Sequence, residues 1–369
     1  MTSRFEPVWN ALTETVKSGR MSGVVAGVRY KGETEVAAIG VKTFGEASPM
    51  TNDTQFRIAS LSKPVAGVIA AAMIADGTFG LNDPVDTWMP ELNGPRVLVD
   101  PAGPLDKTVP SDRPITVQHL LTNTHGLGVI FENTPLSQAM ADMGVAAGAI
   151  PPQLSADDYM ARMSDLPLAY QPGERWMYNT GADILSVLLA RVSGMPLHDL
   201  VSEYITLRLR MMSTGFTGSS LPTEYTETTP FAAMEGIFEQ QPPFESLAGG
   251  LVSTVPDYLA FLGALADGRL IPESLRASMT SDQLVPSQRV GAELLLGPNT
   301  SWGWQVGVTT SGTAPGASAG SYGWTGGTGT CAFVDPSHDL IGVVFTQRMM
   351  AGPQDSFDYF MEPLAAALS

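Results

Sequence analysis

The sequence predicts an α+β protein, with one sheet domain built from both ends of the chain and a mostly helical domain inserted into it. Two β-rich runs near the start, GVVAGVRY and TEVAAIGV, flank a glycine-containing turn, which is typical of a hairpin. Further β-rich runs lie between residues 302 and 347, and the middle has helical patches joined by long proline- and glycine-bearing connections. We therefore place the sheet domain at 1–84 and 246–369 and the insertion at 85–245.

Each element follows from local periodicity. Before Gly19, apolar residues recur at helical spacing, at Phe5, Val8, Trp9, Leu12 and Val16, and predict an amphipathic helix. After the hairpin, residues 60–75 predict an apolar helix that ends at Asp76-Gly77. Helices are then predicted at 117–122, 156–163, 182–192, 257–266 and 272–279, strands at 302–308, 329–335 and 340–347, and a closing helix near 355–367.

Composition excludes several classes of function. The 369 residues are 44% apolar and 15% charged, with 20 Lys and Arg against 37 Asp and Glu, a net charge of −17. Such a field repels phosphate backbones and anionic lipid, so neither nucleic acid nor a membrane is expected as a partner. The single cysteine, Cys331, and the four histidines show no ligand spacing, so we predict no metal and no cofactor. No signal sequence or spanning segment is recognisable, which predicts a cytoplasmic protein; the sequence makes no prediction of oligomeric state.

Two serines compete as candidate nucleophiles. Ser318 lies in Gly-Ala-Ser-Ala-Gly, a formal match to the G-x-S-x-G elbow. That motif needs a strand before it, a helix after it, and then an acid and a histidine on separate elements. Here glycine-rich segments surround it, and Asp335 lies only three residues before His338. A glycine-rich loop is therefore the favoured interpretation of this segment.

The second candidate is Ser60, three residues before Lys63. Positions i and i+3 of a helix share a face, so the lysine amine can reach the serine hydroxyl. To act as a base, this lysine must be neutral near pH 7 although its ordinary pKa is about 10.4. The stretch between Asp53 and Asp76 contains no acid, the following residues are apolar, and Arg57 adds a like charge, all of which favour a lowered pKa. A surface lysine beside a helix-capping serine is the alternative.

Two further segments could complete such a site. Tyr178, in GERWMYNTGADIL, is a candidate general acid and base whose pKa nearby cations would have to lower. The run Gly323–Thr330 is rich in glycine and predicts an edge strand that a substrate backbone could approach, with an amide facing an oxyanion. A packing tyrosine and a twisted strand are the alternatives.

Taken in order, six segments resemble the serine β-lactamase-like superfamily, specifically the class C-related branch that includes family VIII carboxylesterases. These segments are FRIASLSKPVAG, GTFGLNDPVDTWMPEL, ITVQHLLTNTHGLG, PGERWMYNTGADILSVLLARVSG, LAGGLVSTVPDYLAFL and GWTGGTGTCAFVDP. The resemblance implies a β-lactamase/transpeptidase-like fold, an antiparallel sheet flanked by helices with an inserted helical domain. It also implies Ser60 as nucleophile, Lys63 as its base, Tyr178 as the base for deacylation, and the amides of Ser60 and Gly327 as the oxyanion hole.

Two departures from the family pattern bear on activity. Tyr178 is followed by Asn179 and Thr180, so a threonine stands where the β-lactamase motif has asparagine. The third motif is Trp324-Thr325-Gly326 in place of Lys-Thr-Gly, which removes a cation that would pair with a β-lactam carboxylate. Losing such a contact costs about 1.5–3 kcal/mol, so a small-molecule ester is the expected substrate.

The sequence therefore predicts a carboxylesterase that works through an acyl-enzyme. A transesterase, an amidase, a weak β-lactamase on the same site and a catalytically silent binding protein are the alternatives. The segment AAMEGIFEQQPPFES suggests that Phe238 lines an apolar acyl or alcohol site, with a simple packing loop as the alternative.

Overall fold

The computed structural model describes residues 3–369. Its seven-stranded antiparallel sheet contains strands from both ends of the chain. These strands are β1 (Gly23–Tyr30), β2 (Glu33–Gly40), β9 (Thr300–Trp302), β10 (Gly307–Thr309), β11 (Tyr322–Gly326), β12 (Thr330–Asp335) and β13 (Leu340–Thr346). The order β2-β1-β13-β12-β11-β10-β9 places the first hairpin beside the last strand. The boundaries of the two domains, at 84/85 and 245/246, stay a prediction.

Three short strand pairs lie outside this sheet. They are β3 (Phe56–Arg57) with β8 (Val252–Ser253), β4 (Arg96–Leu98) with β5 (Thr108–Pro110), and β6 (Tyr225–Thr226) with β7 (Thr229–Pro230). The sequence did not predict them, because runs of two or three residues carry no readable alternation.

Twelve α-helices are found within residues 3–369. They are α1 (Glu6–Lys17), α2 (Lys63–Ala75), α3 (Val117–Leu121), α4 (Pro135–Asp142), α5 (Ala156–Ser164), α6 (Thr180–Ser193), α7 (Leu197–Val201), α8 (Leu207–Leu209), α9 (Val255–Ala266), α10 (Glu273–Met279), α11 (Glu293–Leu296) and α12 (Glu362–Leu368). Short 3₁₀ turns occur at Ala59–Ser62, Val85–Thr87, Pro90–Leu92, Ala232–Met234, Pro286–Arg289 and Pro336–His338, and π-helical turns at Ser202–Thr206 and Phe357–Met361.

Helices cover both faces of the sheet, as the contacts of β1 show. Val24, Val28 and their neighbours on that face pack with α1 and α12. The opposite face meets α9, where a Cβ on Gly27 would lie 2.6 Å from a methyl of Leu259. Because successive side chains of a strand point to opposite faces, a strand covered on both sides is apolar throughout. Its first six residues are all buried.

Helix α2 lies at the centre of the molecule. Its residues from Lys63 to Met73 are all buried, as expected for a helix that is apolar around its whole circumference. It packs against α6 and α10, and one core cluster includes side chains of the sheet, of α2 and of the helical part. The candidate nucleophile therefore stands at the end of the most deeply buried helix.

The predicted α+β fold is confirmed, with differences in detail. The strand expected at 302–308 is two strands, because the chain turns at Gly303–Gln305 so that the Trp304 amide bonds the Met279 carbonyl at 3.0 Å. The glycine-rich run was expected at a sheet edge, but β11 pairs along its length with β12 and, at Tyr322 and Gly323, with β10. From Trp324 onward its second side has no partner strand in the described chain.

No single helix within residues 3–369 has the length and apolar character needed to cross a membrane. The pair Thr180–Ser193 and Leu197–Leu209 meets that test only when joined across an 87° bend.

The position of α2 generates a stability prediction at Gly67. Helix propensity alone favours alanine over glycine by about 1 kcal/mol. A Cβ at this position would lie 2.5 Å from the Trp304 carbonyl oxygen, and a backbone atom has little freedom to yield. We expect Gly67→Ala to lower the free energy of unfolding by about 1–3 kcal/mol, measured by urea denaturation.

Gly263→Ala in α9 is the matched control. Its Cβ would lie 2.6 Å from the guanidinium end of Arg29, a flexible side chain that can move aside. We expect this variant to unfold at the wild-type urea concentration or above it. A Gly67→Ala protein as stable as wild type would contradict the packing described for α2.

Candidate active site

Ser60 lies in the 3₁₀ turn Ala59–Ser62, directly before α2. The preceding residue, Ala59, has φ of 45°, the left-handed region that a side chain with a Cβ rarely occupies. Such strain persists only where the surroundings impose the conformation. The turn that presents Ser60 is thus held in place by its neighbours.

Hydrogen bonds from the β11–β12 hairpin and from α9 hold this turn. Thr328 Oγ1 donates to the Arg57 carbonyl at 2.6 Å, and Thr330 Oγ1 to the Ile58 carbonyl at 3.0 Å. On the other side the Tyr258 hydroxyl donates to the Leu61 carbonyl at 2.8 Å. Close approach is possible because Gly326 has no Cβ; one placed there would lie 2.4 Å from the Ile58 oxygen.

Lys63 is the first residue of α2 and its side chain is fully buried. Its Nζ lies 3.0 Å from Ser60 Oγ and 2.6 Å from Asn179 Oδ1, and it makes a third, short contact with the Ala248 carbonyl. Two of these partners, the amide oxygen and the carbonyl, can only accept. A neutral amine has two N–H groups for them and one lone pair left for the Ser60 hydroxyl.

Burial lowers the pKa of Lys63 to about 7, and the charge of Asp183 opposes this shift. The pKa of Lys63 is therefore lowered, as predicted, but two of the predicted causes of this shift are not found. Asp183 of α6 faces the amine although no acid is near in sequence, and the Arg57 guanidinium instead donates to the Pro222 carbonyl at 2.8 Å.

Tyr178 lies against Lys63 within a cluster of aromatic rings. Its ring stacks on Trp176 at 5.6 Å and meets Trp302 edge-on at 5.9 Å. Trp324 Nε1 donates to the Tyr178 hydroxyl at 2.6 Å. Lys63 Nζ lies 4.6 Å from the centre of the Tyr178 ring, so a protonated lysine would be stabilised by the ring face.

The expected lowering of the Tyr178 pKa is wrong for the resting site. Burial raises the pKa of Tyr178 well above its ordinary value, and hydrogen bonds with Ser60 and Trp324 oppose this only in part. With Lys63 neutral, no cation faces the phenol. Tyr178 is therefore a neutral hydroxyl that can donate a proton until a positive charge forms beside it.

Ser60 and Gly327, whose amides are the predicted oxyanion hole, both line the cleft around the Ser60 hydroxyl. The amides of Ser60 and Gly327 donate none of the backbone hydrogen bonds found within residues 3–369. Gly327 follows β11 on the side that lacks a partner strand, while its carbonyl accepts from the Met350 amide at 3.0 Å. Two amides without a backbone partner in the described chain, one in the β11–β12 hairpin and one in the turn before α2, are suited to binding an oxyanion.

The cleft around Ser60 has a volume of about 210 Å³. Trp324, Thr325 and Gly327 line it, whereas Gly326 packs against the turn. The lining residues include no charged side chain; they are Ala59, Ser60, Val129, Gly148, Ala149, Tyr178, Asn179, Ala248, Gly249, Leu295, Trp324, Thr325, Gly327, Met350, Gly352 and Pro353.

A second cavity of about 420 Å³ adjoins the first on the side of Tyr178. The two share Val129, Tyr178 and Leu295 as lining residues. The larger cavity is bounded mainly by apolar and aromatic side chains, with Arg175, Asp100 and Glu132 among the rest.

Phe238, which was predicted to bind substrate, and Ser318, the disfavoured candidate nucleophile, lie outside the cleft. Phe238 is buried in a small cluster with Met234 and Val252, its ring packs over Arg57, and it does not line the cleft. Ser318 Oγ donates to Asp335 Oδ1 at 2.6 Å. His338 bonds the other oxygen of that carboxylate, so the acid separates serine from histidine, and these residues stabilise a loop.

Asn179 and Asp183 are the site residues that sequence reasoning missed. Asn179, in the left-handed region at φ 84°, supplies the amide oxygen on Lys63, while Thr180 at the expected asparagine position does not. The available signal was spacing, because Asp183 lies four residues after Asn179, on the same face of a helix otherwise rich in apolar residues.

Comparison with known proteins agrees with this geometry. The family described as Beta-lactamase matches residues 9–362. An uncharacterized protein of Mycobacterium tuberculosis is 33% identical over 92% of this chain and 88% of its own length. Esterase EstB of Burkholderia gladioli is 28% identical over 96% of this chain and 93% of its own.

Among solved structures, EstCE1, a hydrolase with promiscuous acyltransferase activity, superposes with a TM-score of 0.81 at 24% identity, covering 99% of this chain and 98% of its own. Simvastatin synthase of Aspergillus terreus superposes with a TM-score of 0.78 at 20% identity, covering 99% of each chain.

The sheet, the inserted helices and a Ser-x-x-Lys pair before a buried helix define the β-lactamase-like class of serine enzymes. The chain belongs to the Beta-lactamase family. The resemblance to its family VIII esterase branch and the β-lactamase/transpeptidase-like fold are confirmed.

The bond from Trp324 to the Tyr178 hydroxyl yields a prediction. Trp324→Phe keeps an aromatic ring but removes the N–H donor. We expect the reaction of Ser60 with a fluorophosphonate to slow about tenfold, since one hydrogen bond contributes about 1.4 kcal/mol. Intact mass against time gives the rate, and peptide mapping identifies the labelled serine.

Trp302→Phe is the control, because Trp302 Nε1 has no hydrogen-bond partner in the described structure. It removes indole area from the same cluster, together with an N–H group that donates no hydrogen bond in the described structure. Equal slowing in both variants would show that packing, and not the Trp324 bond, sets the rate.

Proposed function

We propose that this protein is a carboxylesterase that cleaves small-molecule esters through an acyl-enzyme on Ser60. The observation that carries the proposal is the Lys63 amine 3.0 Å from Ser60 Oγ, buried, with acceptors on its other two sides. A buried amine with a pKa near neutrality is a general base that can deprotonate a serine. Relatives named as esterases, including lovastatin esterase of Penicillium rubens, support the ester bond as the target.

Acylation begins when Ser60 Oγ attacks the ester carbonyl and its proton passes to Lys63 Nζ. The amides of Ser60 and Gly327 then stabilise the tetrahedral oxyanion. As the C–O bond breaks, Tyr178 gives its hydroxyl proton to the leaving alkoxide. The acyl-enzyme thus holds Lys63 as ammonium and Tyr178 as phenolate.

Deacylation reverses these proton movements. The new ammonium over the Tyr178 ring, together with the Trp324 N–H, stabilises the phenolate that burial disfavours in the resting state. The phenolate takes a proton from water, which attacks the acyl carbonyl. When the second tetrahedral intermediate collapses, Ser60 Oγ recovers its proton from Lys63 and the resting site is restored.

The uncharged cleft favours neutral esters over β-lactams. A β-lactam carboxylate would enter a site whose lining offers it no cation, at a cost of about 1.5–3 kcal/mol compared with a charge-paired complex. The assignment as a weak β-lactamase is therefore disfavoured.

Acyl transfer to an alcohol is the second candidate, and the larger cavity favours it. That cavity opens beside Tyr178, the residue proposed to exchange protons with the alcohol side of the ester. An alcohol bound there could replace water in deacylation by the same proton transfers. Several relatives are named as acyltransferases.

We predict that the protein hydrolyses short-chain p-nitrophenyl esters and that Ser60→Ala lowers kcat/KM by at least about 10³-fold. Ser318→Ala is the control and should keep wild-type turnover, because its hydroxyl bonds only Asp335 and Ser321, neither of which lines the cleft. Nitrocefin turnover should be much slower than ester turnover.

Product analysis with an added alcohol distinguishes hydrolysis from acyl transfer, since transfer yields the new ester. Ester turnover retained in Ser60→Ala, or lost only in Ser318→Ala, would contradict the proposal. A wild-type protein that neither turns over an ester nor reacts with a fluorophosphonate would instead indicate a binding protein.

A further inference from the structure

Asp183 is a buried carboxylate that the proposed reaction leaves unused. Only 3% of its surface is exposed, and it lies in the first turn of α6, where the helix N-terminus favours a negative charge. A charge is costly to bury without partners. The groups that surround it therefore indicate what it does.

Both oxygens of Asp183 lead to Lys63. Oδ1 accepts from Ser246 Oγ at 2.6 Å, and Oδ2 accepts from Asn179 Nδ2 at 3.3 Å. Ser246 Oγ in turn accepts from the Ala248 amide at 3.0 Å. The Ala248 carbonyl and Asn179 Oδ1 are the two acceptors of the Lys63 amine. Two hydrogen-bonded paths, called arms below, therefore connect the Asp183 carboxylate to Lys63 Nζ, one through Asn179 and the other through Ser246 and Ala248.

We propose that Asp183 is a positioning residue for this reaction. Through Asn179 and Ser246 it holds the two acceptors that engage the Lys63 N–H groups, so that the amine lone pair faces Ser60. The inference rests on the proposed function, and it assigns a second task to the same carboxylate, an electrostatic one.

The titratable groups that face Asp183 come from three elements. Lys63 lies on α2, Tyr159 on α5, and Tyr178 directly before α6. The segment 246–249 contributes only a serine hydroxyl and backbone groups. Burial lowers the pKa of Lys63, and Asp183 is the one carboxylate that opposes this shift, so its charge raises the pH at which the amine becomes a base.

The test is the pH dependence of ester kcat/KM for wild type and Asp183→Asn. A base works when it is deprotonated, so activity falls as pH drops through the Lys63 pKa. Removing the negative charge lowers that pKa, and we expect the acidic limb to move down by about one unit. The plateau kcat should fall about tenfold with KM nearly unchanged, because the arm to one acceptor is lost.

Ser246→Ala separates the two tasks. It breaks one arm and keeps the carboxylate, so the limb should stay near its wild-type pH while kcat falls about tenfold. Ser318→Ala is the matched control, because it also removes a buried serine-to-aspartate bond of 2.6 Å, far from Lys63. Thermal melting and fluorophosphonate titration correct each variant for folding and active fraction.

If the acidic limb of the Asp183→Asn pH profile stays at its wild-type pH or moves to a higher pH, the proposal is overturned. If that variant does not fold, wild-type kcat in Ser246→Ala would overturn it equally. If only the role of Asp183 is wrong, Ser60→Ala is still inactive. If the proposed function itself is wrong, ester turnover does not depend on Ser60.

Discussion

The burial of one amine is the constraint on which the rest of the site depends. Lys63 is fully buried at the start of a helix whose following residues are buried as well. An ammonium in such a place would need a partner of opposite charge at close range. Asp183 is near, but its contact is made through Asn179 and Ser246. The balance leaves the amine with a pKa near neutrality, so that in the proposed mechanism Ser60 is activated without a histidine.

The same burial connects distant parts of the fold to the chemistry. Helix α2 needs an apolar environment, which α6, α7 and α10 help to provide. Because Gly67 and Gly326 have no Cβ, the backbone of other segments can approach α2 and the turn that carries Ser60 closely. In the proposed mechanism, Tyr178 is a phenol that is neutral at rest and gains a stabilising cation only after Ser60 has reacted. The order of proton transfers thus follows from which charges the cavity tolerates at each stage.

Local patterns in the sequence predicted what depends on local geometry. The Ser60–Lys63 spacing, the helix that follows and the segment around Tyr178 are all readable within a few turns. Asp183 was missed because it follows Lys63 by 120 residues, and only the packing of α6 on α2 brings the two together. The break at Gly303–Gln305 and the position of Phe238 over Arg57 likewise depend on contacts between remote segments. Net charge and the missing third-motif cation, by contrast, are visible in composition and motif alone.

The most direct test of this account is the titration of Lys63 itself. The chain has five lysines, at positions 17, 31, 42, 63 and 107, so a protein labelled with ¹³Cε-lysine gives a spectrum of few resonances. The one absent from Lys63→Met belongs to Lys63. The account predicts that its chemical shift titrates at about pH 7, well below the ordinary lysine pKa of about 10.4. A Lys63 resonance that titrates near the ordinary lysine value of about 10.4 would contradict it.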